Sequence, residues 1–420
     1  MQQILNKKIP QISFIVMVVI YLLAGQKSFA NPTVVLLSID GFAQQYIEKY
    51  QPQNLLKLMK QGTYAKALLP VYPSKTFPNH LSIVTGSYTA KHGIIHNTFY
   101  RRDKNQQYTK GAGTKDGSWL KAIPIWSLAE KNGLTSAVYF WPESEVDYQG
   151  LLPTYNFSYN RVTSNETRFK QVISWLQLPE NKRPKFIASY FSLVDHAGHL
   201  FGPDSNVTKK AVLKADRLIG EFITTLHEKV KQPINLIIVS DHGMQSIDKK
   251  SLIDWKPWLN NNQKMKIING ETQLLIYSND KKQLKSVYTK ITENADVRFN
   301  IYRQQDFPQH WHWSTNFNVL PDLVLNAKPP FVFDQYHTNQ SKGTHGYDPL
   351  NNKNMEAIFI ATGPSFKKNV EVPAFENIHI FPLLKNLLGI TENTNNIDGN
   401  INVLKPYLVI TDKNNHIKQQ

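Results

Sequence analysis

Short apolar runs, most of them ending at a polar group, recur along this chain: TVVLLSID (33–40), TSAVYFW (135–141), KFIASYFSLVD (185–195), INLIIVSD (234–241) and EAIFIAT (356–362). Runs that are apolar at nearly every position, rather than every second one, predict strands buried on both faces. Between them, hydrophobic residues return at helical spacing over 43–60, 124–132, 165–178, 208–230 and 377–388. Alternating strands and helices predict an α/β fold, a mostly parallel sheet with helices on both faces. The rhythm breaks from about 245 to 335, where TQLLIYS, a helical stretch at 280–293, VRFNIYR and a proline- and aromatic-rich segment follow one another. That region reads as a smaller α+β insertion between two strands of the main domain. One further segment stands out: PSKTFPNH (73–80). Prolines on either side disfavour a continuing helix or a central strand, so an irregular, stiff loop is expected around Thr76. A helix is expected to begin beyond it, in PNHLSIVTG.

Composition narrows the class. The chain has 420 residues, 41% hydrophobic and 19% charged, enough to bury a large core. Its first thirty residues depart from that balance. Lys7 and Lys8 precede ISFIVMVVIYLLAG, and Ser28 and Ala30 stand where a signal peptidase reads small residues. A leader over 1–30, cleaved near Ala30, predicts export to a periplasm or to the medium, with no transmembrane segment in the mature chain. A retained anchor is the alternative, although the apolar run is short for a membrane span. The main domain is then expected over 31–400, with a tail at 401–420. The absence of cysteine excludes disulfides, thiolate metal sites, cysteine nucleophiles and a lipoprotein anchor. Without the leader's three lysines the formal charge of +16 becomes about +13. The lysines are scattered, as in Lys209-Lys210 and Lys367-Lys368, with no arginine-rich arm. This argues against stable nucleic-acid binding and for a surface that attracts small anionic substrates.

The candidate chemistry lies at the strand ends. Asp40, Asp195 and Asp241 close three of the apolar runs, and ligands gather at the carboxyl ends of strands in open parallel sheets. Three carboxylates brought together repel unless cations neutralise them. Histidines come with them: Asp195 and His199 four apart in DHAGH, His242 beside Asp241 in SDHGM, and His345 in THGYD. A lone aspartate at a strand end is most often a cap or turn former, and His96, His310 and His312 are equally available histidines. The joint pattern, with Gly41, Gly198, Gly243 and Gly346 beside the candidate ligands, is the inventory of a two-metal hydrolase. Imidazole and carboxylate without thiolate suit zinc and admit manganese, whereas magnesium and calcium would not recruit so many histidines. Thr76 is the matching nucleophile, since a hydroxyl needs a base or a metal to activate it. The sequence has no G-x-S-x-G elbow. A rigid surface turn is the competing account of this segment.

Taken together, SIDGF, PSKTFPNH with LSIVTG, KHGIIHNTFY, FWPESE, DHAGHLFGPDS, SDHGM and THGYD resemble the nucleotide pyrophosphatase/phosphodiesterase family of the alkaline phosphatase superfamily. The motifs stand in the family's order. The resemblance implies an alkaline-phosphatase-like fold and two zinc ions per chain. One zinc would be held by Asp195, His199 and His345, the other by Asp40, Asp241, His242 and the Thr76 oxygen. It also implies in-line attack by Thr76 on phosphorus and a phospho-threonine that water then hydrolyses. Asn97 and the Thr76 amide would bind a non-bridging phosphate oxygen, and His196 would not be a ligand. Threonine at the nucleophile position, with no cysteine and no arginine in KTFPNH, sets the chain apart from sulfatases and monoesterases. The leader sets it apart from the cytosolic phosphoglycerate mutases that share the metal scaffold.

The resemblance also implies a nucleobase pocket. Phe77 would stack on the base, Tyr159 would face it, and Trp141 and Glu145 would shape the rest, with Glu145 standing where the family pattern has aspartate. The expected activity is cleavage of nucleotide phosphodiester or phosphoanhydride bonds to release nucleoside 5′-monophosphate. The alternative is a choline-phosphate or lysophospholipid phosphodiesterase of the same family, with a cage drawn from Trp141, Glu143, Glu145, Tyr155 and Tyr159.

Overall fold

The structure, a computed structural model, describes residues 31–259, 265–294, 296–334, 341–394 and 396–409. The leader predicted at 1–30 and the end of the predicted tail, 410–420, lie outside the described residues.

The apolar runs form the centre of an eight-stranded sheet. Its strands are β1 (Thr33–Ile39), β2 (Thr63–Ala65), β3 (Ser136–Tyr139), β4 (Tyr155–Phe157), β5 (Phe186–Phe191), β6 (Ile234–Val239), β11 (Phe359–Thr362) and β12 (Val370–Val372). The order is β12-β2-β11-β6-β1-β5-β3-β4. Every neighbouring pair is parallel except the two made by β11. The unbroken apolar pattern has its cause here. Along β1, Val34 and Leu36 pack into one core while Val35, Leu37 and Ile39 pack into the other. Burying a side chain of this size is worth about 1.5–3 kcal/mol, so both faces hold the strand register.

Helices cover both faces. The helices α1 (Gln45–Tyr50), α2 (Gln53–Gln61), α5 (Asn165–Leu176) and α7 (Asn206–Lys229) contribute to one core, and α3 (Thr76–Thr85), α4 (Ile125–Lys131) and α9 (Ile380–Leu387) to the other. Ser164 and Ser205 cap α5 and α7, each accepting from the amide three residues on. The single helix expected over 43–60 is two, because Gln51 takes a left-handed conformation and Pro52 follows it. The helix α6 (Leu193–Phe201) follows β5. Asp195 therefore stands in the first turn of a helix, not at the end of the strand.

A second sheet occupies the irregular region. Its strands β7 (Lys266–Asn269), β8 (Gln273–Tyr277), β9 (Phe299–Arg303) and β10 (Leu323–Ala327) run antiparallel in the order β7-β8-β10-β9, and α8 (Lys281–Glu293) packs on them. The aromatic-rich segment after β9 folds back on the main domain, where Trp311 stacks on Tyr72 at 3.8 Å. Among the described residues no helix is long and apolar enough to cross a membrane.

Candidate active site

The parallel strands β1, β5 and β6 deliver their carboxyl ends to one place. Asp40 follows β1 directly and its amide donates to Phe191 at the end of β5, while the Asp195 amide donates back to the Asp40 carbonyl. Gly41, at φ +69°, makes this closure feasible: a Cβ there would lie 2.7 Å from Asp195 Cα. Asp241 and His242 leave β6 on the other side.

The six predicted ligands form one cluster. His242 Nε2 lies 3.0 Å from Asp241 Oδ2 and 3.4 Å from Asp40 Oδ1, and His199 Nε2 lies 3.3 Å from Asp195 Oδ1. His345 Nε2 is 3.9 Å from Asp195 Oδ1, and its ring stacks on that of His242 at 3.5 Å. Asp195, His242 and His345 form one metal-sized group of donors, and Asp40, Asp241 and His242 form a second. Lookalike histidines lie elsewhere. His96 is buried against Gln273, His310 pairs with Asp348, His312 stacks on Tyr88, and His196 is exposed on α6.

Hydrogen bonding shows what these donors are prepared for. His199, His242 and His345 each turn Nδ1 to a main-chain carbonyl, those of Gly343, Gly243 and Ser74, at 2.8–2.9 Å. Donation from Nδ1 fixes the tautomer and leaves the Nε2 lone pair facing the carboxylates. Opposite them, Asp40 Oδ1, Asp195 Oδ1 and Asp241 Oδ2 are buried without hydrogen-bond partners. Burial, reinforced by His242, keeps His345 well below the ordinary histidine range, so it stays neutral. Imidazole nitrogens thus face buried carboxylate oxygens that have no hydrogen-bond partners, an arrangement that divalent cations would relieve. The residues fit metal. Without cations, burial and the charges of Asp241 and Asp195 push Asp40 far above the usual carboxylate range. Burial also opposes ionisation of Asp241, but His242 and His80 hold it well below that range.

Thr76 meets this cluster from below. It is the first residue of α3, after Lys75 in the extended N-cap position, so the helix begins earlier than expected. Pro78 is accommodated because it falls in the first turn, where no intrahelical acceptor awaits an N–H. Thr76 Oγ lies 3.3 Å from His242 Nε2. The Phe77 amide donates to Asn97 Oδ1 at 2.9 Å, which orients the Asn97 NH₂ group.

A cleft of about 370 Å³ opens beside the cluster, lined by Asp40, Thr76, Phe77, Trp141, Glu145 and Tyr159, with Glu143 and Lys110. All four predicted substrate-pocket residues therefore line one cleft. Trp141 is held by donation from Nε1 to the His80 carbonyl at 3.1 Å, and Glu145 accepts from the Tyr159 amide at 2.9 Å. Tyr159 is 54% exposed and touches Phe140 edge-on. Tyr155 is not part of this lining; its hydroxyl donates to the Lys182 carbonyl.

Sequence reasoning gave no role to His80, Tyr190 or Glu271. His80, one turn after Thr76, places Nδ1 2.9 Å from the Thr76 carbonyl and 3.3 Å from Asp241 Oδ2, while Nε2 meets Ser38 Oγ. Its i, i+4 spacing from Thr76 was the available signal. The Tyr190 hydroxyl donates to Asp40 Oδ2, and Lys75 Nζ reaches Glu271 of the second sheet at 3.0 Å. Burial depresses the Lys75 ammonium below its ordinary value, and Glu271 partly offsets that.

Comparison with known proteins agrees with this geometry. The sequence family described as type I phosphodiesterase / nucleotide pyrophosphatase matches residues 34–348. The chain belongs to that family. It is 35% identical over 402 residues to human ectonucleotide pyrophosphatase/phosphodiesterase family member 1, covering 92% of this chain and 43% of that protein. To a venom phosphodiesterase of Naja atra it is 35% identical over 390 residues, 90% of this chain and 47% of the venom protein. The chain thus spans about half the length of these curated relatives. Murine ectonucleotide pyrophosphatase / phosphodiesterase 5 superposes with a TM-score of 0.83 at 27% identity, covering 90% of this chain and all of that one. The fold is the family's, the alkaline-phosphatase-like α/β architecture. An inactive threonine-to-alanine variant of the same murine protein, solved in complex with AMP, matches equally well.

Proposed function

We propose that this chain is an exported hydrolase that holds two zinc ions and cleaves nucleotide phosphodiester or phosphoanhydride bonds. It releases nucleoside 5′-monophosphate by way of a phospho-threonine at Thr76. The observation that carries this reading is the Thr76 hydroxyl, set against the ligand cluster at the foot of a cleft whose wall includes Phe77, Trp141, Glu145 and Tyr159. The relative that binds AMP once a threonine is removed supports both the nucleophile and the nucleotide.

Asp195, His199 and His345 would hold one ion, and Asp40, Asp241, His242 and Thr76 Oγ the other. When bound, the two cations lower the pKa of the threonine hydroxyl and offset the charge that gathers on the phosphoryl oxygens. The chain's own residues arrange the rest. Thr76 Oγ bonds to phosphorus as the bond to the leaving oxygen opposite it breaks, and the threonine proton is released to water. Water then breaks the Oγ–P bond, restoring the hydroxyl and freeing the nucleoside 5′-monophosphate. Asn97 donates from its NH₂ group to a phosphoryl oxygen, because its own oxygen is engaged by Phe77. The Thr76 amide, at the start of α3 with no helical acceptor, adds a second donor at the positive end of the helix. Phe77 and Tyr159 give the base aromatic faces that tolerate any base. The choline alternative has less support, since Tyr155 is absent from the cleft lining.

The test is zinc-dependent hydrolysis, by the chain from residue 31 onward, of the p-nitrophenyl esters of thymidine 5′-monophosphate, phosphate and phosphorylcholine. Preference for the nucleoside diester is expected, with loss of turnover in Thr76→Ala. Preference for the choline ester would keep the nucleophile and discard the nucleobase pocket. No zinc-dependent turnover of any of them would defeat the reading.

A further inference from the structure

The second sheet lies apart from the strands that carry the ligands, yet its β7–β8 turn reaches the nucleophile. At that turn Glu271 adopts φ +72° and directs its carboxylate back into the main domain. Its Oε2 accepts from Lys75 Nζ at 3.0 Å and from Thr344 Oγ at 3.2 Å. Lys75 is the N-cap residue of α3, immediately before Thr76, and Thr344 immediately precedes the ligand His345. One carboxylate oxygen therefore joins the residue before the nucleophile to the residue before a ligand.

The path of the lysine is built for this contact. Lys75 is buried, and its side chain runs beneath Gly346, where a Cβ would lie 2.3 Å from Lys75 Cε and 2.4 Å from Thr272 Oγ. Gly346 stands at φ +114°, so glycine is needed for both conformation and space. Neighbouring bonds close the same seam. The Gly346 amide donates to Ser74 Oγ at 3.1 Å, Ser74 Oγ donates to the Tyr347 carbonyl at 2.7 Å, and Gln273 Nε2 donates to the Gly346 carbonyl at 2.8 Å. The turn itself is fixed by the Glu271 amide on Asn269 Oδ1 and by the Phe333 amide on the Glu271 carbonyl.

From this geometry we infer that Glu271 is a positioning residue for the reaction: acting through Lys75, it sets the start of α3, and with it the Thr76 oxygen, against the His345 loop. The second sheet is then a brace for the nucleophile rather than a surface appendage. This rests on Thr76 being the nucleophile, so the test pairs a catalytic readout with one that needs neither substrate nor metal.

The experiment compares wild type, Glu271→Gln, Lys75→Met and the double variant by steady-state kinetics of the zinc-loaded chain on p-nitrophenyl thymidine 5′-monophosphate. Metal content and amide hydrogen exchange are measured alongside. A small displacement of a reacting group is costly, so Glu271→Gln is expected to lower kcat by about tenfold or more with KM and zinc content little changed. The same substitution in the Lys75→Met background is expected to cost nothing further, the mark of a residue that works only through its partner. In the metal-free protein, the amides of Phe77, Asn79 and Gly346 should exchange faster in Glu271→Gln than in wild type. Unchanged exchange, unchanged kcat, or equal losses with and without Lys75 would each overturn the inference. Should wild type not hydrolyse the ester, the reading of the site fails on its own account and exchange alone decides whether the brace exists. If Glu271→Gln does not fold, Glu271→Asp, which withdraws the charge by one methylene, carries the same comparison.

Discussion

The ligand cluster and the cleft wall beside it are built by different means. In the cluster, Asp40 and Asp241 stand within two residues of strand ends, and each ligand imidazole is fixed by a main-chain carbonyl. In the wall, Lys110, Glu143, Glu145 and Tyr159 come from loops, and the Tyr159 amide is held by Glu145 while its ring stays half-exposed. On the proposed reading, strand ends and helix starts would place the groups that attack phosphorus, while loops would shape most of what the substrate may carry. Substitutions in the first region should remove chemistry, and those in the second should trade one substrate for another.

The largest expected effect tests the first half of that division. Thr76→Ala should lower kcat by more than about a thousandfold while the protein keeps its metal, as loss of a covalent nucleophile does elsewhere. Retained turnover would place the chemistry on another group. Stripping with a chelator should abolish activity, zinc should restore it, and elemental analysis of the reloaded protein should find two ions per chain. In the wall, Phe77→Ala should raise KM for the nucleoside ester by about tenfold to a hundredfold with a smaller change in kcat, the worth of one stacked base. Tyr159→Ala, removing a more exposed ring, should do less. Equal losses of kcat in all three variants would erase the distinction.

A smaller effect lies under α3. His92 is buried and its pKa is lowered to about 3 by that burial, while an unfolded histidine titrates near 6.5. Below pH 6.5 the unfolded chain therefore binds a proton that the folded chain refuses, and stability falls as pH drops. The slope contributed by this one group is about 1.4 kcal/mol per pH unit between 6.5 and 3. In urea melts at pH 7 and pH 5, His92→Asn should lose less on acidification than wild type. An unchanged pH dependence would mean that His92 is protonated in the fold. Least of all, Glu145→Gln should keep an acceptor for the Tyr159 amide and change kcat/KM by less than about threefold.

The strands, most helices and the gathering of six Asp/His side chains were legible because they rest on local patterns: two-faced apolar runs, helical spacing, aspartates after apolar runs, and histidines in short glycine-containing motifs. The N-terminal edge of α3 was not, because a proline in a first turn looks the same in sequence as a proline that forbids a helix. The break at Gln51–Pro52 was missed for the opposite reason, since apolar spacing continues across it. Asp195 was given a strand end because the apolar run continues through Leu193 and Val194 into α6. Glu271 and Tyr190 had no signal at all. Their partners, Lys75 and Asp40, are 196 and 150 residues away, and only the folded chain brings them together.

The carbonyls that hold the ligand histidines have a consequence over evolutionary time. A tautomer fixed by another side chain can be undone by one codon change in that neighbour. Here the partners are peptide oxygens of Ser74, Gly243 and Gly343, which no change of side chain deletes, although a Cβ at Gly243 or Gly343 would lie 2.0 or 2.4 Å from a backbone oxygen and displace them. As long as those two glycines stay, drift in the neighbouring side chains leaves the partners of the imidazoles in place, and a lineage can rework the loops of the cleft without renegotiating them.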